Sequence, residues 1–192
     1  HTIFMPYNHP YYQGLFERHG YQKKKDMHAY TIDISKTKPV LDASPDKISL
    51  GNAIPDLTFQ DLRGHKTRET LQKIFQEIFN PEWQQQYGFL PLTEKEINFR
   101  FKEYAKWVIP ELVLIGDIKG TPVSCMIMLP NFNEVTHRFN GPFSFLNNLL
   151  LPYYKHRIRT TRCVLLIVRR HLRSHGIHMQ MIQEAIRRLD HL

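Results

Sequence analysis

Cysteine is nearly missing from this chain: its 192 residues include two, Cys125 and Cys163. Both lie in apolar, strand-like runs without the paired spacing of a zinc or redox site. They are therefore expected to be buried free thiols in a reducing compartment. Long apolar runs are missing as well, since none approaches the roughly 20 residues needed to span a membrane. No secretory leader pattern opens the chain at His1, which predicts a cytoplasmic protein whose start lies upstream. A serine elbow and a cysteine with a paired base are also lacking, which excludes a serine or cysteine nucleophile. What is present is globular. Hydrophobic residues make up 42%, with 12 Phe and 9 Tyr, enough for one good core or one and a half small ones.

Negative charge is in the minority, and the formal net charge is +8. Such a balance suits an anionic partner: RNA, an acidic membrane or a phosphate-rich cofactor. Arg157, Arg159, Arg162, Arg169, Arg170, Arg173, Arg187 and Arg188 gather in the last third. That clustering favours a phosphate ligand over a dispersed nucleic-acid surface, although backbone binding of nucleic acid needs little beyond such a patch. No RNA-module signature interleaves aromatics with glycines.

The arginines surround the most informative stretch, VRRHLRSHGIH from Val168 to His178. Val164, Leu165, Leu166, Ile167 and Val168 predict a buried strand, and Ile177, Met181, Ala185, Ile186 and Leu189 recur at helical spacing. The helix is expected to start near Ser174 to Gly176. Its unpaired N–H groups and the positive end of its dipole then face the loop, where a phosphate fits. Gly176 lets backbone approach a ligand, and Arg173 adds a fixed charge. The other arrangement open to this stretch is a basic helix stopped by Gly176 just past its C-terminus.

At Arg173, Ser174, His175, Gly176, Ile177 and His178 the chain resembles the GNAT superfamily of N-acetyltransferases, whose coenzyme loop reads Q/R-x-x-G-x-G/A after a central strand. His178 departs from the small residue at the last position. The resemblance implies an acyl-CoA N-acyltransferase-like α/β fold, a mixed sheet splayed between its fourth and fifth strands with the thioester in the gap. It also implies acetyl-CoA as acyl donor and an amine acceptor. Ile167, Val168, Arg173, Ser174, His175, Gly176, Ile177 and His178 become the candidate coenzyme-binding residues. Backbone N–H groups near Ile167 and Val168 are candidate donors to the oxyanion.

A second resemblance lies at the front. Asn8, Phe16, Glu17, Arg18, His19, Gly20 and Tyr21 look like the motif that ends such a module, with a strand expected at His28 to Ile34. Together with Tyr7 to Tyr12, Trp83, Tyr87-Gly88-Phe89 and Pro91, the order resembles uncharacterised bacterial proteins with two tandem acetyltransferase-like halves. Residues 1–35 are then the tail of a first module, 36–54 a linker, and 55–192 the front and centre of a second. Phe16 stands where the family often has a catalytic tyrosine. A phenyl ring cannot donate a proton, so the first half is expected to be a scaffold.

Along the second module, Leu57 to Leu62 predicts a strand and Thr67 to Asn80 a helix ended by Pro81. Glu82 to Phe89 is a polar aromatic segment. A capping box at Thr93 and Glu96 opens a helix to about Val108, broken by Pro110. Leu112 to Ile118 and Thr121 to Leu129 predict a hairpin turning at Lys119-Gly120. The order β, α, α, β, β, β, α results. Pro130 to Arg162, rich in Phe, Leu and Tyr and ending in basic residues, suits a lid over an acyl acceptor, a membrane contact or a packed helix. Glu82, Glu111, Glu134 and His137 are candidate bases by residue type alone. The acceptor, the acyl chain and the oligomeric state are not specified by the residues.

Overall fold

The computed structural model describes residues 2, 5–43, 54–63, 67–84, 89–104, 108–136 and 158–189. Among them four strands form one sheet in the order β1-β2-β3-β4, with seven α-helices around or ahead of it. The strands are β1 (Leu57–Gln60), β2 (Val113–Ile118), β3 (Thr121–Pro130) and β4 (Thr161–Val168). Pairing is antiparallel throughout. The mixed sheet expected above would need a further strand beyond the last helix, and none lies among the described residues.

The β2–β3 hairpin turns where the sequence predicts. Lys119 and Gly120 both take positive φ, 51° and 81°, the geometry of a tight two-residue turn whose twist matches the strands. Asp117 Oδ1 accepts from the Gly120 N–H at 2.6 Å, which closes it.

Helices cover both faces. On one lie α3 (Thr67–Ile74), a π-helical segment (Phe75–Phe79), α4 (Asn80–Trp83) and α5 (Glu94–Tyr104). Leu71, Ile74, Ile78 and Ile97 pack there against Val113, Ile115, Cys125, Ile127, Leu165 and Ile167. The single helix predicted from Thr67 to Asn80 is thus divided by a π segment, and Pro81 does not end it. Pro81 sits in the first turn of α4, where its missing N–H costs nothing. The capping box forms as predicted. The Thr93 N–H donates to Glu96 Oε2 at 2.8 Å, and the Glu96 N–H to Thr93 Oγ1 at 3.3 Å. Helix α5 is described to Tyr104, residues 105–107 lie outside the described residues, and Val108, the expected end, is not helical.

On the opposite face α7 (Ile177–Leu189) packs Ile177, Met181 and Ala185 against Leu114, Met126 and Met128, and Ile186 is buried as well. Each large apolar side chain on this stripe contributes about 1.5–3 kcal/mol by leaving water, so the amphipathic spacing is what docks the helix.

Ahead of the sheet, α1 (Tyr11–Arg18) buries no residue. Phe16 and Tyr21 are exposed and meet edge to face at 5.6 Å, so neither is a core residue. No strand forms at His28 to Ile34. The chain there is irregular, and α2 (Ile34–Ala43) runs through the first part of the expected linker. The remaining helix, α6 (Asn133–Thr136), follows β3. Most of the segment from Pro130 to Arg162, with Arg157 and His137, lies outside the described residues. Among the described residues no helix is long and apolar enough to cross a membrane.

Candidate functional site

Strand β4 is an edge strand among the described residues, and its C-terminal end builds the site. It pairs with β3 through Cys125↔Ile167 and Ser124↔Val168. The next residue, Arg169, donates its N–H to Val123 O at 2.9 Å. Backbone groups alternate sides along an antiparallel strand, so Val168 turns its N–H and C=O away from β3 toward the open edge. Its carbonyl there accepts from Arg173 Nε at 3.1 Å. The Ile167 backbone, one residue earlier, faces β3 by the same alternation. Of the two candidate oxyanion donors, the geometry favours Val168.

After Val168 the chain makes a 3-10 turn over Arg170–His175, then Gly176 in the left-handed region at φ 71°, then α7 from Ile177. The helix therefore starts at Ile177, directly after the Ser174 to Gly176 stretch where the sequence predicts its start. Both arrangements considered above contain part of this geometry: strand precedes loop, and Gly176 stops a short basic helical turn before it starts the long one. A residue with a Cβ is strained at such φ, which is why glycine stands here. The Gly176 carbonyl accepts from the Met179 and Gln180 N–H groups at 3.0 and 3.2 Å, so the N–H groups that begin α7 point at the loop mouth. Ile177 is buried beneath that mouth, while Ser174 and His178 are exposed and His175 is half-buried. Ser174 Oγ lies 3.4 Å from His175 Nδ1.

Arg173 is less free than a lone phosphate clamp would be. Besides Val168 O, its guanidinium reaches the Glu82 carbonyl at 3.1 Å and Glu82 Oε2 at 3.3 Å. The same carboxylate accepts from the Arg170 N–H at 2.8 Å. Glu82 is thus no exposed base; its side chain is 14% exposed, delivered to the loop by α4. Phe75, Phe79 and Trp83 stack one turn apart behind it, with centroids 4.6 and 5.1 Å apart. Sequence inspection missed this contact because 88 residues separate Glu82 from Arg170, and no local pattern announces it.

The other candidate bases also have different roles. Glu134 accepts from the Arg159 and Thr160 N–H groups at 2.9 and 3.1 Å and from the Thr160 hydroxyl, tying α6 to the start of β4. Burial works against its charge, yet the donors from Thr160, Arg159 and Asn131 outweigh it and hold the carboxyl below its ordinary value. Such a group is a weak base. Glu111 lies in the 3-10 turn Pro110–Leu112, away from the loop in sequence and without a resolved role. Cys125 is buried, and burial pushes its thiol up to about 12. Cys163, expected to be buried, is exposed on the edge strand. No group of three or more potential metal ligands gathers among the described residues.

Part of the arginine patch serves the protein itself. Arg169 Nε donates to Pro122 O at 3.0 Å. Arg188 binds Asp61 and Glu184, each at 2.8 Å, and Phe59 O at 3.1 Å.

Strand, glycine turn and helix start define an α/β protein whose described residues form one antiparallel sheet, with the turn at the end of its β4 edge. No family model matches the chain. It is 30% identical over 171 residues to protein YghO of Escherichia coli strain K12, a match covering 86% of this chain and 42% of that protein. It is 29% identical over 133 residues to bacterial ceramide synthase of Caulobacter vibrioides strain NA1000 / CB15N, covering 69% of this chain and 34% of that protein. The chain spans less than half the length of these curated relatives.

Proposed function

We propose that this chain carries the coenzyme-binding part of an acyl-CoA-dependent N-acyltransferase, transferring an acyl group, acetyl in the simplest case, to an amine. The observation that carries this is the edge of β4. Val168 presents N–H and C=O to the open side, and within ten residues Gly176 turns the chain into the N-terminus of α7. A thioester chain lying along that edge has a donor for its carbonyl oxygen, while its pyrophosphate meets the helix start and Arg173. The name of the Caulobacter relative supports the chemistry. A ceramide is an amide of a fatty acid and a long-chain amino alcohol, so making one is N-acylation. That name also extends the candidate donors from acetyl to longer acyl chains. A purely basic binding surface is less well supported, because Arg169 and Arg188 are engaged internally.

Calorimetry with acetyl-CoA and a long-chain acyl-CoA, followed by thiol release in the presence of an amine panel that includes a long-chain amino alcohol, tests the proposal. Binding that Gly176→Asp weakens by tenfold or more is expected, since the substitution sets a strained backbone and a negative charge against phosphate. Folded wild type that binds neither thioester refutes the assignment.

A further inference from the structure

The loop already holds an anion. One oxygen of Glu82 takes the Arg170 N–H at 2.8 Å and lies 3.3 Å from Arg173 Nη2. Arg173 does not depend on that carboxylate for its place. Its Nε sits on the Val168 carbonyl and its Nη2 on the Glu82 backbone carbonyl, 3.1 Å each, and backbone acceptors survive any substitution at position 82. What the carboxylate adds is negative charge, delivered to two donors that face the same loop as the start of α7. The Arg173 side chain remains 39% exposed against 14% for Glu82, so solvent and any incoming anion reach the pair from the arginine side.

We infer that Glu82 is an internal counter-anion which a ligand's phosphate must outcompete, and that it thereby sets the affinity of the loop for anions. The inference rests on the coenzyme reading above and adds a residue that controls it. The carboxylate satisfies the Arg170 N–H and neutralises Arg173, which holds the turn Arg170–His175 against α4. The same carboxylate then opposes phosphate at close range. Binding requires either displacement of its side chain or acceptance of two negative groups around one guanidinium, and both weaken the complex.

The test uses the full chain with acetyl-CoA and, separately, inorganic pyrophosphate, each followed by calorimetry, with thermal unfolding as a control. Glu82→Gln keeps the shape and one acceptor oxygen but removes the charge. Affinity for both ligands is expected to rise about tenfold, the scale of one charge-assisted hydrogen bond, and adding Arg173→Ala should abolish the gain. Glu82→Asp retracts the charge by one methylene and should give a smaller gain, which supplies a second reading if Glu82→Gln folds poorly. Wild type that binds acetyl-CoA, with variants that bind equally or more weakly at unchanged stability, overturns the inference and leaves the coenzyme assignment intact. A gain for pyrophosphate without any acetyl-CoA binding supports Glu82 as counter-anion and overturns the coenzyme assignment. Absence of both ligands from every folded variant overturns both.

Discussion

At the scale of single residues, close approach governs Gly116. It pairs with Ser124 across the β2–β3 ladder and with Phe59 of β1. A Cβ at position 116 would overlap Ser124 Oγ and come within 3.1 Å of the Phe59 ring. Ser124 is fully buried, and among the described residues its hydroxyl meets no hydrogen-bond partner. Gly116→Ala is therefore expected to lower stability by about 1–2 kcal/mol in urea denaturation, as overpacking does. Adding Ser124→Ala, which removes the overlapping and unpartnered hydroxyl, should recover most of the loss. An unchanged midpoint in Gly116→Ala would show that the strands separate freely here. At Gly176 the φ of 71° disfavours a side chain.

At the scale of elements, the strand, turn and helix of the site are held by polar ties that reach far along the chain. Glu82 joins α4 to the turn, Glu134 joins α6 to the start of β4, and Arg188 joins α7 to the end of β1 through Asp61. The Asp61 carboxyl lies below its ordinary value, chiefly through hydrogen bonds from the Arg63 side chain, then against burial through the Arg63 N–H and the charges of Arg63 and Arg188. A carboxylate depressed on folding contributes stability that is fully present above its unfolded value, about 3.8. The contribution is lost as pH falls through the lower folded value. Asp61→Asn should lower stability at neutral pH and flatten the acid limb of the stability curve below about pH 4. Parallel wild-type and variant curves across that limb would contradict the tie.

At the scale of the whole molecule, helices on two faces enclose a sheet whose β4 edge is open among the described residues, and a charge of +8 is unevenly spent. Among the described residues, Arg169, Arg173 and Arg188 serve carbonyls and carboxylates of the fold, so they are not free charges on a basic face. RNA is accordingly expected to bind weakly, and its affinity should fall steeply between about 50 and about 200 mM salt. Acetyl-CoA, held by backbone donors and few charges, should lose far less over the same range in a competition assay. Parallel salt dependence, with no competition between the two, would make the basic surface the functional one.

The sequence by itself determined the elements whose signals are local. The period of Ile177, Met181, Ala185 and Ile186, the Thr93–Glu96 box, the Lys119-Gly120 turn and the β-branched run before Val168 all follow from neighbours a few residues apart, and each element forms, although Val164, expected to be buried, is exposed on the edge strand. Local signals were less reliable where two elements could accept the same residue. Pro81 suits a helix end or a helix start, and stacking of Phe79 on Trp83 favoured the start. Residues 28–33 have strand-like composition but meet no partner strand among the described residues, and a lone strand leaves its backbone unpaired. Only the tertiary structure decided what Arg173 does. Its charge and its R-x-x-G setting are written in the chain, but the carbonyl of Val168 and the carboxylate of Glu82 are not, because packing α4 against the end of β4 brings together residues that no sequence spacing relates.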